Sequence, residues 1–464
     1  MQFEPGLRPL LDAQEVVRIV EQAAEVLHEV GVLCEHERTQ AVLRERTRSE
    51  VRAGRVHFDA AEVLDQLAAR RAAAPPAPRP AFRLGGQWNC LNYCEPITGA
   101  VRPAGEAETI AAARLAEALG GGGGPIPLSP AYVPPRLRTL ECERIGLLHT
   151  ADRGGILTAT DRREIEYLRD MNLAAGRRYR LAIEGMISPL RLNPETLNVY
   201  FDNADDAGLD IVAVTPIPMA GATAPLVLPA GIVQGTAESL GWDFVLHHIS
   251  DGRLSGLSLR LEAFDMRDAN IAIGTPEWCL LRQAIAPVLC HTQRVAAPAG
   301  MFRSNSRQPD AQAQVQRTAS ALWQAMLGAR AFGAVGQLCM DEVFSPIQAI
   351  YDREILGYLQ RLFDGPSALW DGGAEPTGVI GEGVEAGSFL GVASTLARHR
   401  EAYRHSEIFR ASNLGAWRAA GSRTTEALAW ESAQSVTAKH QPELPAAARA
   451  EVQAIYDRAV AALS

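Results

Sequence analysis

The sequence predicts an α/β protein: a (β/α)8 TIM barrel with an N-terminal helical segment and a C-terminal helical extension. Three observations lead there. Beyond Gly120 apolar strand-like runs alternate with helical stretches, eight pairs over about 240 residues, which is the repeat such a barrel requires. The five glycines at 120–124 precede a strand rather than follow one. A GxGxxG turn after the first strand is therefore missing, which counts against the runner-up, an open doubly wound sheet. At 464 residues and 50.0 kDa the chain can hold one large domain with additions. The expected division is a helical and β appendage over 1–105, the barrel over 106–365, and a lid with a helical flank over 366–464.

Taken in order, AQEVVRIVEQAAEVLHE from Ala13 has apolar residues at helical spacing and ends at Gly31 as a cap. A short helix near 36–46 follows, and RVHFDA reads as a strand after which Asp59 caps a third helix. AAAPPAPRPA, 72–81, is a linker by composition. The segment to Gly105 reads as a β excursion with a turn at Glu95 to Gly99, leading into a helix over Ala107–Leu119. The barrel strands are then expected near 125–129, 155–160, 180–187, 209–215, 243–249, 270–274, 294–298 and 332–339. Helices are expected near 138–149, 161–173, 194–207, 230–240, 253–264, 277–288, 309–329 and 348–363. Past 366 come a loop, GVIGEGVEAGSFLG, a helical run over Val392–Tyr403 and a last helix over Ala446–Ala462.

Ile211 to Ala237 is a run of 27 residues without a charge, long enough to raise the question of a membrane span. Pro216, Pro218, Pro225 and Pro229 answer it, because each removes an amide donor and fixes φ. A buried strand, LDIVAVTPIP, an uncharged loop flooring a pocket and a helix from about Ala230 account for the run better.

Composition is globular, 47% apolar and 21% charged, with 45 basic against 54 acidic residues and a net charge of −9. That balance opposes nucleic acid and anionic membrane and favours small molecules or proteins as partners. No secretory signal is expected in MQFEPGLRPLLDAQEV. Seven cysteines without CxxC spacing point to reduced thiols in a cytoplasm. Cys279, Cys290, His291 and Cys339 have no recognised zinc spacing, and no metal is expected.

In a barrel the chemistry sits at the C-terminal ends of the strands. That rule selects Glu184 and Ser188, then His247 and His248, then Glu277 and Trp278, then AGMFRSNS, and finally Cys339, Asp341, Glu342 and Phe344. Glu184, an acid on a central strand, needs a partner or a function. Adjacent His247 and His248 face opposite sides of a strand, so one of them is structural. Glu277 either caps a helix or binds a ligand. Trp278, Phe344, Tyr351 and Trp242 are either core or an aromatic cage. Asp310 either caps the helix after it or serves the site.

TPIPMAGATAPLVLPAGIVQGTAESLG, 215–241, resembles the PMPMxGATAPVTLAG loop and following helix of the trimethylamine methyltransferase family. Residues 304–365 are similar to that family's segment with a PDAQA motif (here with Asp310 and Gln312), a helix, an inner strand and an FSP turn. The chain contains only standard residues, so the resemblance is to the branch without pyrrolysine, which includes enzymes acting on glycine betaine and related quaternary amines. It implies transfer of a methyl from a small quaternary or tertiary ammonium compound to the Co(I) of a corrinoid (cobalamin) carried by a partner protein and not bound permanently. It also implies that Glu184, Asp341 and Glu342 serve catalysis, while His248, Glu277, Trp278, Phe344 and Tyr351 hold the substrate cation through aromatic faces and carboxylates. A homo-oligomer is left open. The chain departs from the family in GEGVEAGSFLGVAST, with Ser388 and Ser394 where relatives often have GPGGHFL and a histidine, and in CMDEVFSP. Two alternatives remain: a diverged barrel that binds a cationic or zwitterionic ligand without methyl transfer, and a barrel lyase using Glu184 or His248 as acid and base.

Overall fold

The computed structural model describes residues 6–73, 81–86, 89–121, 124–152, 158–159, 161–295, 297–365 and 375–463. Most of the expected strand at 155–160 and most of the linker at 72–81 lie outside the described residues. The fold is α/β. Its hydrogen-bonded ladders form five separate sheets of two to five strands, and among the described residues they do not close into one barrel.

Parallel pairing dominates where the alternation was expected. Strand Tyr179–Ile183 pairs with Leu209–Ala213 in register over five residues. Gly300–Met301 pairs with Ala331–Gly333, which pairs in turn with Arg83–Leu84 from the N-terminal segment, again parallel. Cys90 and Leu128 form a parallel bridge. The first hundred residues thus supply strands to the central layer. Helix Ala13–Glu29 adds a further contact, packing its apolar stripe (Val16, Ile19, Val20, Ala23, Leu27) against helix Leu228–Ile249. At the other end helix Ala446–Leu463 packs on Arg138–His149 and Arg162–Ala174, while Thr425–Lys439 packs on Pro346–Phe363.

Several boundaries differ from the sequence reading for identifiable reasons. The expected strand at 243–249, with His247 and His248 at its end, is the last part of helix Leu228–Ile249. Almost every residue of that helix from Thr236 to Leu246 is buried, so the sequence shows neither a period of 2 nor one of 3.6. The helix read over 253–264 is instead an extended segment ending in strand Glu262–Asp265. Residues 270–274 form only the returning arm, Asn270–Ile271, of an antiparallel hairpin with it. Helix Pro276–Gln293 runs through Pro287 and stops at Arg294, in left-handed backbone at φ 53°, so the strand read at 294–298 starts later, at Gly300. Past Gly333 the strand read to 339 gives way to a turn and a hairpin, Gln337–Leu338 with Val343–Phe344. Pro376–Glu385, inside the segment read as a loop, is helical, and helices Leu414–Ala419 and Thr425–Lys439 were not anticipated. No helix among the described residues is long and apolar enough to cross a membrane.

Candidate active site

Where the strands end, a cavity of about 310 Å³ opens. Glu184 and Val214 enter it directly after strands Tyr179–Ile183 and Leu209–Ala213, and Met301 and Arg303 at the end of Gly300–Met301. Arg260 and Glu262 come from the extended segment, Arg282 from helix Pro276–Gln293, and Met340 and Asp341 from the turn after Gly333. Ile217, Ile271 and Ile273 supply apolar wall, and Asn89, whose amide donates to Ile126 O at 2.6 Å, closes one side. The volume suits a small ligand.

Charge is the cavity's main property. Its lining holds three carboxylates, Glu184, Glu262 and Asp341, and three guanidiniums, Arg260, Arg282 and Arg303, so it is formally neutral. Glu262, 3% exposed, is fully engaged. Its Oε2 accepts from Trp278 Nε1 at 2.5 Å and its Oε1 from Arg282, which also lies 4.7 Å from the centre of the Trp278 ring. Arg303, 5% exposed, donates Nη1 to Met340 O at 2.9 Å. Burial pulls its pKa down to about 10, against the attraction of Asp341, and it stays charged at neutral pH. Burial also pulls the Arg260 value down, with Glu262 opposing and Arg282 adding to the shift.

The turn that presents Asp341 is held in an unusual backbone. Ala334, Cys339 and Met340 all have positive φ, at 62°, 49° and 67°. Such residues cost about 1 kcal/mol or more each and persist only where their surroundings fix them. Here Cys339 N donates to Ser306 O at 2.6 Å and Met340 N to Ser304 O at 3.0 Å. Beneath lies Arg317, fully buried, which donates to Asp352 Oδ1 at 2.7 Å, to Ala334 O at 2.9 Å and to Gln337 O.

Of the residues singled out from sequence, Glu184 and Asp341 line this cavity. Glu342, on the same turn, is exposed and not among the lining residues. Trp278 is buried behind the wall, bonded to Glu262. Glu277 is exposed in the first turn of helix Pro276–Gln293. His248 lies on helix Leu228–Ile249, its ring 4.5 Å from that of Phe244 and its carbonyl accepting from Arg46 at 2.7 Å, on the side facing the N-terminal segment. Phe344 and Tyr351 belong to a separate core, and Tyr351 OH donates to Thr425 Oγ1 at 3.2 Å. Trp242 is buried on helix Leu228–Ile249 against Gly185. Among the described residues no aromatic ring lines the cavity. Asp310 caps helix Ala311–Met326, accepting from Ala313 N at 2.9 Å. Among the described residues no group of three or more His, Cys, Asp or Glu side chains is placed to hold a metal ion.

Sequence reasoning passed over Arg260, Glu262 and Arg282, and reached Arg303 only as part of AGMFRSNS, without singling it out. A signal for the first two exists. In Leu257–Phe264, LSLRLEAF, leucines at 257, 259 and 261 alternate with Ser258, Arg260 and Glu262, the period of a half-buried strand.

Residues 177–463 match the family model described as trimethylamine methyltransferase. The chain is 27% identical over 278 residues to trimethylamine methyltransferase MttB2 of Methanosarcina mazei, covering 59% of this chain and 54% of that one. It is 26% identical over 258 residues to trimethylamine methyltransferase MttB of Desulfitobacterium hafniense, covering 55% and 50%. The chain therefore spans about half the length of the curated relatives it matches. The crystal structure of the Methanosarcina barkeri monomethylamine methyltransferase overlays with a TM-score of 0.43 at 12% identity, over 100% of this chain and 89% of that one, too distant to bear on the fold.

Proposed function

The chain belongs to the trimethylamine methyltransferase family, and from that premise we propose that it moves a methyl group from a small, betaine-like quaternary ammonium compound to the Co(I) of a corrinoid on a partner protein. The observation that carries this reading is the balanced charge of the cavity, three carboxylates against three guanidiniums.

The chemistry explains why balance matters. The C–N bond breaks with its electron pair staying on nitrogen, so the donor loses its positive charge as the methyl leaves. The corrinoid supplies the cobalt nucleophile that takes the methyl. A carboxylate about 4 Å from the ammonium, unopposed, holds it by about 4 kcal/mol at an effective dielectric of about 20. That attraction is lost along the reaction and adds to the barrier. In this cavity Arg282 neutralises Glu262, and Arg260 and Arg303 offset Glu184 and Asp341. The ammonium is oriented by Glu184 and Asp341 and by the thioethers of Met301 and Met340 without resting in a deep negative well. No general base is needed, since a quaternary nitrogen has no proton to lose.

The residues fit a corrinoid that meets the donor at the mouth. About 310 Å³ holds a small donor and not a macrocycle. Ile217 on the cavity wall is exposed, and so are Leu226 and Met266, which flank Gly221 on the loop that follows; they offer apolar surface to a flat ring system.

We extend the proposal to the fold. A (β/α)8 arrangement has its first strand at Arg83–Leu84, which pairs with Ala331–Gly333, with the Cys90 bridge to Leu128 leading to the second. The remaining described members are then Tyr179–Ile183, Leu209–Ala213, 259–263, Gly300–Met301 and Ala331–Gly333. The barrel thereby begins before residue 106, with 366–464 as its flank.

Incubating the protein with cob(I)alamin and a panel of betaines and methylamines tests the reading. Appearance of the methylcobalamin spectrum with a betaine is expected. A silent panel, with a betaine still bound by calorimetry, refutes methyl transfer and leaves a binding protein.

A further inference from the structure

We infer that the protein has a second small-molecule site, away from the cavity at the strand ends, which takes a planar aromatic carboxylate of one or two rings; the inference goes beyond methyl transfer and does not depend on it. The site is a cavity of about 250 Å³ between helices Glu106–Ala118 and Thr425–Lys439, against strands Asn92–Cys94 and Val343–Phe344. It shares no lining residue with the cavity described above. Tyr93, Phe344 and Trp430 supply aromatic wall, with alanines of the two helices between them. Two of its polar groups are open donors. Tyr93 is 7% exposed, and its hydroxyl makes no hydrogen bond among the described residues. Arg114 gives Nη2 to His149 Nδ1 at 3.2 Å, while its Nε is buried without a partner and no carboxylate pairs with it among the described residues. A partly buried guanidinium left so is costly unless an acceptor completes it.

Charge decides the class of ligand, because the acids around Arg114 are taken. On its own helix Glu106 pairs with Arg144 at 2.8 Å, Glu108 with Arg102, and Glu117 with His440 at 2.6 Å. On the facing helix Glu431 pairs with Arg423, and Glu426 lies at the Tyr351 hydroxyl. Glu108, the acid on the cavity's own wall, also accepts from Gly105 N at 2.7 Å. His149 is kept neutral by burial and then by Arg114, so it brings no charge either. One positive charge with open donors calls for an acceptor of one negative charge, and the planar fork of a guanidinium matches a carboxylate. Three rings around an apolar space favour a flat ring over an alkyl chain, through offset or edge-on contact. The volume is below the usual range for drug-sized ligands, which limits the body to one or two rings. A cation is attracted to the same rings, but it would lie beside unpaired Arg114 and against a Glu108 already satisfied.

Calorimetry with benzoate and indole-3-carboxylate tests this, against benzyl alcohol and indole as their neutral counterparts, acetate, and tetramethylammonium. One of the two aromatic acids should bind with a Kd below about 1 mM, and roughly tenfold or more tighter than its neutral counterpart and than acetate. R114Q should weaken that acid by roughly 10- to 100-fold, the loss of a charge-assisted pair, and change the neutral counterpart by less than about threefold. Y93F should weaken the acid by about threefold or more, the loss of one neutral hydrogen bond. R303K, in the other cavity, should leave acid binding within about twofold of wild type. Circular dichroism checks that the variants fold; should R114Q unfold, Y93F and R303K still decide where the acid sits. Neither aromatic acid bound with a Kd below about 1 mM, or both bound no better than their neutral counterparts, overturns the inference. Binding lost in R303K and kept in R114Q and Y93F places the acid in the strand-end cavity and also overturns it. Tetramethylammonium bound in preference to both acids, and weakened by Y93F but not by R303K, makes this a cation site and overturns it too. None of these outcomes involves a corrinoid, so methyl transfer stands or falls separately.

Discussion

Replacing Arg317 by Met should remove several kcal/mol of stability. Arg317 and Asp352 are both fully buried, and the guanidinium makes two contacts to the carboxylate and two to the carbonyls of Ala334 and Gln337. Methionine fills similar space but leaves Asp352 with only Gly336 N at 2.7 Å and Gln348 Nε2 at 3.0 Å as donors. Breaking one side of a buried ion pair costs about 3–5 kcal/mol, because the other charge stays behind. Adding Asp352→Leu removes that charge and should recover about half of the loss. Recovery stops short because the Ala334 and Gln337 carbonyls each lose the hydrogen bond from the guanidinium, at about 1 kcal/mol each. Burial pushes the Asp352 carboxyl upward, and without the guanidinium a proton takes its place. A raised carboxyl contributes stability fully below the ordinary carboxylate range and loses it as pH rises through the raised value, so the R317M deficit should be smaller at pH 5 than at pH 7.5. Guanidinium denaturation followed by far-ultraviolet circular dichroism at both pH values gives these differences. An R317M midpoint corresponding to less than about 1 kcal/mol of loss, or a double variant worse than the single one, contradicts the account of this pair.

Three further outcomes follow from the site and its surroundings. His149 has its pKa lowered to about 4, first by burial and then by Arg114, Arg449 and Arg144, so the neutral ring is the stabilising form. Its contribution is present above the usual value of about 6.5 and is lost as pH falls toward about 4; after discounting for solvent screening it is about 1–2 kcal/mol, and H149Q should flatten the stability profile in that window. Gly185→Ala drives a Cβ into the six-membered ring of Trp242, so it should cost about 2 kcal/mol or more and, by displacing adjacent Glu184, lower activity as well, read by thermal melting and turnover. E184Q and D341N should each reduce methyl transfer about tenfold or more with little change in melting temperature, whereas E342Q, on the exposed side of the same turn, should behave as wild type.

How much of this was readable from residues depends on whether a segment shows one face or none. Helix Ala13–Glu29 has a single apolar stripe and its boundaries were legible, as was the Asp310 cap, whose side chain lies next to the helix it starts. Helix Leu228–Ile249 is buried on nearly all sides, so VLHH passed for a strand and drew His248 to the wrong end of an element. That error displaced the count of strands. One of the eight strands read from the sequence, 243–249, is the end of that helix. Glu184 and Asp341 could be found because each follows directly on a readable strand or turn. Arg260 and Arg303 were not brought together, because residues 43 apart along the chain reach one cavity through packing alone. Among the described residues the cavity is lined by carboxylates, guanidiniums and thioethers, and Trp278, read as core or cage, is buried behind the wall and holds Glu262.

The most direct test of methyl transfer counts both products of one reaction. A trimethylammonio-carboxylate with deuterated methyls, incubated with the protein and cob(I)alamin, should give trideuteromethyl-cobalamin and the corresponding dimethylamino acid in a one-to-one ratio by mass spectrometry. Demethylated amine without labelled cobalamin, or neither product from any betaine of the panel while the protein still binds it, contradicts the account.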